Sequence, residues 1–424
     1  MRSSDPAETA RRRPRALWRP RIAVAAVLLF LGSASGPAGF AEPYTPVSDD
    51  EVLERIPRGV RSADLRRDRE ELANDPENLR DSVSMARSYL DTARTEGDAR
   101  FLGYAQAILG PWWNQATPPV DVRLVRATVF AATFEFDRAL GELDAVLASE
   151  PDHPGAWAAR VEVCLARGDF EAARSALERA RPGMSDGEWT VASARCARSA
   201  GELAAAVAGL ETFAAPAPAA DRGPDLDVDL RHAALAALAH LRLRQGRGGD
   251  AATCFAGLRG LGRRDVRLLG AEADFELDRD RAEAVVELLK GETAHDGLAV
   301  RLLEAWKRRN ETEPAAVARF EELRRQVEKR LEDRRSRGDA SSLPDEVRYW
   351  LRVRPDAGKA AERAGELWGV RRTLEDAALV IEAARFGGRA ELGAAVRSWA
   401  ERQGVRDARL GSTAGPGGAG EGPR

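Results

Sequence analysis

Cysteine, histidine, tyrosine and methionine are scarce in this chain of 424 residues, which holds 3, 4, 4 and 3 of them, respectively. Cys164, Cys196 and Cys254 form no CxxC pair and none stands near a histidine at ligand spacing, which argues against a zinc module. An odd number leaves at least one thiol unpaired within the chain. A disulfide between Cys164 and Cys196 is open to the sequence, but burial as small apolar side chains is the simpler expectation. His153, His232, His240 and His295 are scattered, and HExxH, GxSxG, a Walker loop and a dinucleotide fingerprint are all missing. No catalytic set, no metal and no cofactor is expected. Lysine occurs only at 290, 307, 329 and 359, so nearly every basic residue is arginine. β-Branched residues are sparse while Ala, Leu, Glu and Arg dominate; these are strong helix formers, and they predict an all-α chain.

Excess positive charge is also lacking. The net charge is −3, and residues 1–41 alone hold seven arginines against Asp5 and Glu8, so the remainder is more acidic still. A nucleic-acid binder needs a net basic surface to neutralise phosphates, and that class is excluded. Long apolar runs are absent except at the start. There "RRRPRALWRPR" precedes "IAVAAVLLFLGSASGPAGFA", the basic, apolar, then small-residue order of an export signal. Gly39-Phe40-Ala41 is a tolerable cleavage site with Glu42 following. The alternative is an uncleaved membrane anchor over 22–41, but the strongly apolar part, Ile22–Leu31, is only about half the ~20 residues a spanning helix needs.

The body of the chain repeats. "HPGAWAARVEVCLARGDFEAARSALERARP" (153–182) reads as two helices around Gly168-Asp169, and 34 residues upstream Phe136, Ala139 and Leu143 stand where Phe170, Ala173 and Leu177 do. Downstream copies place Gly201 for Gly168 and Ala206 for Ala173, then Gly246, Ala251 and Phe255. A weaker copy follows near 268–289. Trp157 early in the first helix, Gly168 at the turn, Phe170, Ala173 and Ala180 in the second helix and the closing Pro182 together resemble the tetratricopeptide repeat. That resemblance implies a right-handed α-solenoid of stacked helical hairpins whose first helices line a concave, protein-binding face. Val161 and Arg160 depart from the family pattern, standing where a small residue and a leucine are expected. Upstream, "ARTEGDARFLGYAQAILGPWW" is similar to the first unit of a group of exported bacterial tetratricopeptide proteins.

The organisation read from the sequence is a signal peptide or anchor over 1–41 and a polar linker over 42–74. Tetratricopeptide-like repeats follow over 75–290, then more degenerate helical repeats over 291–410 and a Gly-rich disordered tail over 411–424. Within 291–410 an apolar stripe at Val317, Phe320, Leu323, Val327 and Leu331 predicts one long amphipathic helix. About four more helices follow, with Trp368 and Trp399 about one unit apart.

Candidate binding residues follow from the register. Thr128, Glu162, Arg195, Arg198, His240 and Arg244 fall on inward first-helix positions. Three arginines and a titratable histidine over adjacent units could cradle an acidic peptide or a C-terminal carboxylate; alternatively the arginines pair with Glu188 or Glu202, or face solvent. The Lys/Asn carboxylate clamp of some chaperone-binding members is not reproduced. Trp112-Trp113 either anchors a partner or a membrane interface, or caps the apolar end of the first hairpin. The function expected is a non-enzymatic scaffold or adaptor of the cell envelope, exported to the periplasm or beyond, that binds a protein or peptide. The alternatives are a membrane-anchored accessory subunit of an envelope or transport complex, and an enzyme with an unrecognised site.

Overall fold

Each hairpin begins with a polar or proline cap and ends where a helix-breaking residue turns the chain. α6 (Pro154–Arg167) starts with His153, whose Nδ1 accepts the Ala156 N–H at 3.1 Å, and stops at Gly168 with φ 81°. α7 (Phe170–Ala180) follows, capped by Asp169. The computed structural model describes residues 72, 75, 77–215, 224–310 and 312–411. The expected signal or anchor over 1–41, nearly all of the linker over 42–74 and the tail from 412 therefore lie outside the described residues.

Among the described residues the chain is all helix, as the composition predicts. α1 (Leu79–Glu96) pairs with α2 (Arg100–Ile108) and the single-turn α3 (Gly110–Trp113), and α4 (Val120–Ala132) pairs with α5 (Phe136–Ser149). After α6 and α7 come α8 (Asp186–Arg195) with α9 (Ala200–Ala214), α10 (Pro224–Arg244) with α11 (Gly248–Gly260), and α12 (Val266–Asp278) with α13 (Ala282–Leu288). α14 (Asp296–Arg309) lies against the long α15 (Pro314–Ser336). α16 (Leu343–Arg348) runs into a π-helical turn, Tyr349–Val353, beside α17 (Ala357–Val370); α18 (Leu374–Phe386) and α19 (Ala390–Arg402) close the series.

Small residues let the paired helices approach. Ala139, Ala173 and Ala251 are fully buried, and Phe136 and Phe170 fill the gaps to their neighbours. Trp157 is half-buried, its indole N–H on the Pro151 carbonyl at 2.8 Å. α15 matches its stripe: Leu323, Val327 and Leu331 are buried, while Val317 at the start stays exposed. Cys164, Cys196 and Cys254 are free and buried, and desolvation pushes each thiol up, Cys196 to about 11. No disulfide joins Cys164 to Cys196.

One repeat position is corrected. Gly201 lies inside the first turn of α9 and makes no turn; the connection is built by Ser199, which forms a reciprocal cap with Glu202. The capping box supplies the stop and start that glycine supplies at Gly168. Ala206 is only half-buried, and Leu203 and Val207 hold the buried face of α9.

The stacking does not stay open. The C-terminal helices return to the α6–α7 turn, where the Trp399 indole N–H donates to the Gly168 carbonyl at 3.1 Å. Trp399 also packs its ring against Phe170 (centroids 6.2 Å apart) and edge-on against Trp368 (5.2 Å). The two tryptophans, about one unit apart in the sequence, thus touch each other. Around them the Phe170 N–H donates to Gln403 Oε1, the Arg372 N–H to the Ala166 carbonyl and the Arg406 N–H to the Arg198 carbonyl. Gly168 is demanded twice, because a Cβ there would need a positive φ and would sit 2.8 Å from the Arg372 carbonyl oxygen. A second closure joins α1 to α12: Arg94 pairs with Asp265 at 3.3 Å, and Arg264 pairs with Glu96.

Trp399→Ala should destabilise the protein by about 3–5 kcal/mol, the usual cost of emptying a large aromatic site. Trp399→Phe, which keeps a ring but removes the N–H, should cost about 1 kcal/mol from the hydrogen bond together with a smaller packing loss. Denaturant titration of the two variants checks the order; equal stability of Trp399→Ala and the parent would contradict the closure.

Candidate functional site

Because successive hairpins stack in the same sense, their first helices face one another across a common interior. The result is a cavity of about 3080 Å³ walled by α1, α4, α6, α8, α10, α12, α14, α16 and α18. Leu90, Ala131, Leu165, Val191 and Ala236 give it apolar ground, and Phe134 and Phe386 add aromatic faces. Charged side chains stand between them, many already engaged with each other. On the α12, α14 and α16 side, Arg301 grips Asp274 through two hydrogen bonds of 2.7 Å and Arg348 adds a third at 2.8 Å. Burial pushes the Asp274 carboxyl up, but Arg301 and Arg348 more than offset it and hold the group below its ordinary value.

The inward positions read from the sequence are distributed as follows. Thr128, Glu162, Arg195, His240 and Arg244 line the cavity; Arg198 does not. Arg195 and Glu162, on neighbouring first helices, form a bidentate pair, with one hydrogen bond of 2.7 Å. Arg198 pairs with Glu171 and donates to the Gln403 carbonyl at 3.2 Å, so it belongs to the closure. Arg244 is a clear correction. It is only 5% exposed and donates to the Ala197 carbonyl at 2.9 Å and the Arg406 carbonyl at 3.1 Å. Its guanidinium fastens the returning C-terminal segment, because a buried donor must find acceptors within the fold. The expected cradle of Arg195, Arg198 and Arg244 is therefore occupied from within. Neither Glu188 nor Glu202 is the carboxylate that pairs them: Glu188 caps α8, and Glu202 pairs with Arg174 while accepting the Arg198 backbone N–H.

His240 lies 3.5 Å from Glu375, which Arg409 approaches to 3.7 Å. Burial pushes Glu375 up, yet His240 and Arg409 together hold its carboxyl well below the usual carboxylate range. Desolvation lowers His232 and His295, and the His295 Nδ1 accepts the Leu298 N–H, a role that requires the neutral ring. Trp113 is buried against Phe130 and Trp112 is half-buried in the same cluster, which places the pair at the apolar end of the first hairpin and not on an open surface. No group of His, Cys, Asp and Glu that could hold a metal ion is present among the described residues. No helix among them is long and apolar enough to cross a membrane.

A family model described as a tetratricopeptide repeat matches residues 131–190. That span runs from the end of α4 into α8 and contains the Trp157–Gly168–Phe170 unit. Residues 131–190 are a tetratricopeptide-repeat segment. A crystal structure of the P58(IPK) TPR domain is similar at 13% identity over 77% of this chain and 93% of that one, with a TM-score of 0.19. No curated protein matches the sequence. In the tetratricopeptide segment the inner wall is supplied by α4, α6 and α8, and the closure fixes α6 against the C-terminal helices.

The Asp274–Arg301–Arg348 cluster and the cavity-facing Arg267 and Arg385 were missed in the sequence reading. Their elements lie in the weakest copies, where no local spacing links residues from three hairpins; a helical register carried through 266–278 would have found the inward face of α12.

Glu202 carries a pH prediction. Desolvation raises it, but the Ser199 and Arg198 backbone N–H groups and Arg174 bring it down to about 2 from 4.5. A depressed carboxylate stabilises the fold fully above its unfolded value and loses that contribution as the pH falls through the folded one. Glu202→Gln should therefore lower stability at neutral pH, with the gap to the parent narrowing between pH 4.5 and 2. Denaturation midpoints across that range check it; a gap independent of pH would contradict the assignment.

Proposed function

We propose that the protein is a non-catalytic scaffold of the cell envelope that takes a segment of a partner protein into its interior. The observation that carries this reading is one continuous cavity lined by the first helices of the described hairpins, from α1 to α18. Its size suits a length of polypeptide better than a small ligand, since drug-sized ligands occupy pockets of roughly 300–1,000 Å³. Tetratricopeptide repeats support a protein partner, and rigid helices present side chains that lose little entropy on binding. The wall's acids and bases largely neutralise each other, and the thiols are buried and raised, which suits binding better than nucleophilic chemistry. Envelope location rests on the signal-like order of residues 1–41.

Photo-crosslinking tests the interior. A photoreactive residue placed at Ala236, on the cavity wall, should capture a partner in envelope extracts, whereas the same residue at the exposed Val317 should not. Equal capture from Val317 would overturn the reading. N-terminal sequencing tests export: a mature chain that begins at Glu42 is expected, and a membrane-bound chain that retains Ile22–Leu31 would favour the anchored accessory subunit instead.

A further inference from the structure

The cavity wall has arginines left over after its internal pairings are complete. Arg267 at the start of α12, Arg279 just past its end and Arg385 at the end of α18 all face the interior. Among the described residues none of the three has a carboxylate partner within ion-pair distance, and Arg279 touches only the Phe275 ring, at 5.1 Å from its centroid. The single carboxylate of the wall left in the same position is Asp278, which makes no hydrogen bond or ion pair among the described residues. The uncompensated charge of the interior is thus positive, inside a chain whose net charge is −3. Cavities walled by low-dielectric protein focus such a field, so an interior of opposite sign to the molecule selects its occupant by charge.

The environment of Arg267 agrees with this. Desolvation by the surrounding wall pulls it below its ordinary value and the nearby Asp265 offsets this only in part, whereas Arg301 is raised by Asp274 despite its own desolvation. Aromatic surface accompanies the free arginines at one point: Phe386, beside Arg385, is 45% exposed, whereas Phe275 is buried beneath Arg279. Arginine next to an aromatic face receives a carboxylate and an apolar side chain at neighbouring points of one segment.

We infer that the segment taken into the interior is acidic and amphipathic, its carboxylates held by Arg267, Arg279 and Arg385 and its apolar side chains laid on Phe386. This inference rests on the scaffold reading above and names the chemistry of its partner.

The test uses the full chain and a fluorescein-labelled peptide of alternating glutamate and leucine, compared with the same peptide carrying lysine for glutamate. Reversing the three arginines (Arg267→Glu, Arg279→Glu, Arg385→Glu) should weaken the acidic peptide at least tenfold and flatten the salt dependence of its binding. The exterior reversal Lys290→Glu, Arg325→Glu, Arg389→Glu should leave its affinity within twofold. The lysine peptide should not bind. Since the three interior arginines have no carboxylate partner in the fold, helicity and melting should hold; Gln at the same positions is the milder variant if they do not, with a smaller loss of affinity expected. The inference is overturned if the parent does not bind the acidic peptide, if interior reversal leaves affinity unchanged, or if the lysine peptide binds as tightly. A natural partner captured from Ala236 through a segment without acidic residues would sink the charge inference and leave the scaffold reading standing. Absence of any capture from the interior would remove both.

Discussion

The hydrogen bond from the Trp399 indole to the Gly168 carbonyl joins residues 231 positions apart and decides what kind of solenoid this is. Stacked hairpins need only their neighbours, so a tetratricopeptide array can in principle grow indefinitely with its inner face open to water. Here the last hairpin is brought back onto the turn of an early one. The backbone contacts around it, Arg372 to Ala166 and Arg406 to Arg198, fix the return segment in one register. Ordering a long loop adds entropy cost only logarithmically, so a compact aromatic cluster of Trp399, Trp368 and Phe170 can hold such a distant contact.

Closure changes the environment of everything on the inner wall. Oppositely charged side chains that face the interior from different hairpins are brought within ion-pair reach. Arg195 with Glu162, and Arg301 and Arg348 with Asp274, are such pairs, whereas Arg371 with Asp376 is a local pair at the start of α18. They make the cavity rigid and mostly neutral, and it is against this background that the few unpaired arginines acquire meaning. The two junctions differ in kind. The one at Gly168 is aromatic and buried, while the one between α1 and α12 rests on Arg94, Glu96, Arg264 and Asp265 and is weakened by salt.

Much of the architecture was legible in the sequence because it is local. The helices of 153–182, the turn at Gly168, the buried alanines at 139, 173 and 251 and the stripe of α15 follow from periodicity and from residue types with a single structural use. The closure was not legible. Trp399 and Arg244 carry ordinary helical spacing, and only three-dimensional return of the chain turns one into a clasp and the other into a buried fastener. Gly201 misled for a related reason: identity at an offset does not fix conformation when a Ser199–Glu202 capping box can make the same turn. The cavity's free arginines escaped notice because freedom from a partner is a property of the assembled wall.

The central claim is that the array is closed, and the distance between its two joined regions tests it most directly. Spin labels at the exposed Ser175, on α7 just beyond Phe170, and at Glu401, beside Trp399, would report it by pulsed dipolar spectroscopy; the native cysteines are buried. The closed array requires one narrow distribution at short distance, broadening when Trp399 is replaced by alanine. A long, broad distribution in the parent protein, unchanged by that replacement, would contradict it.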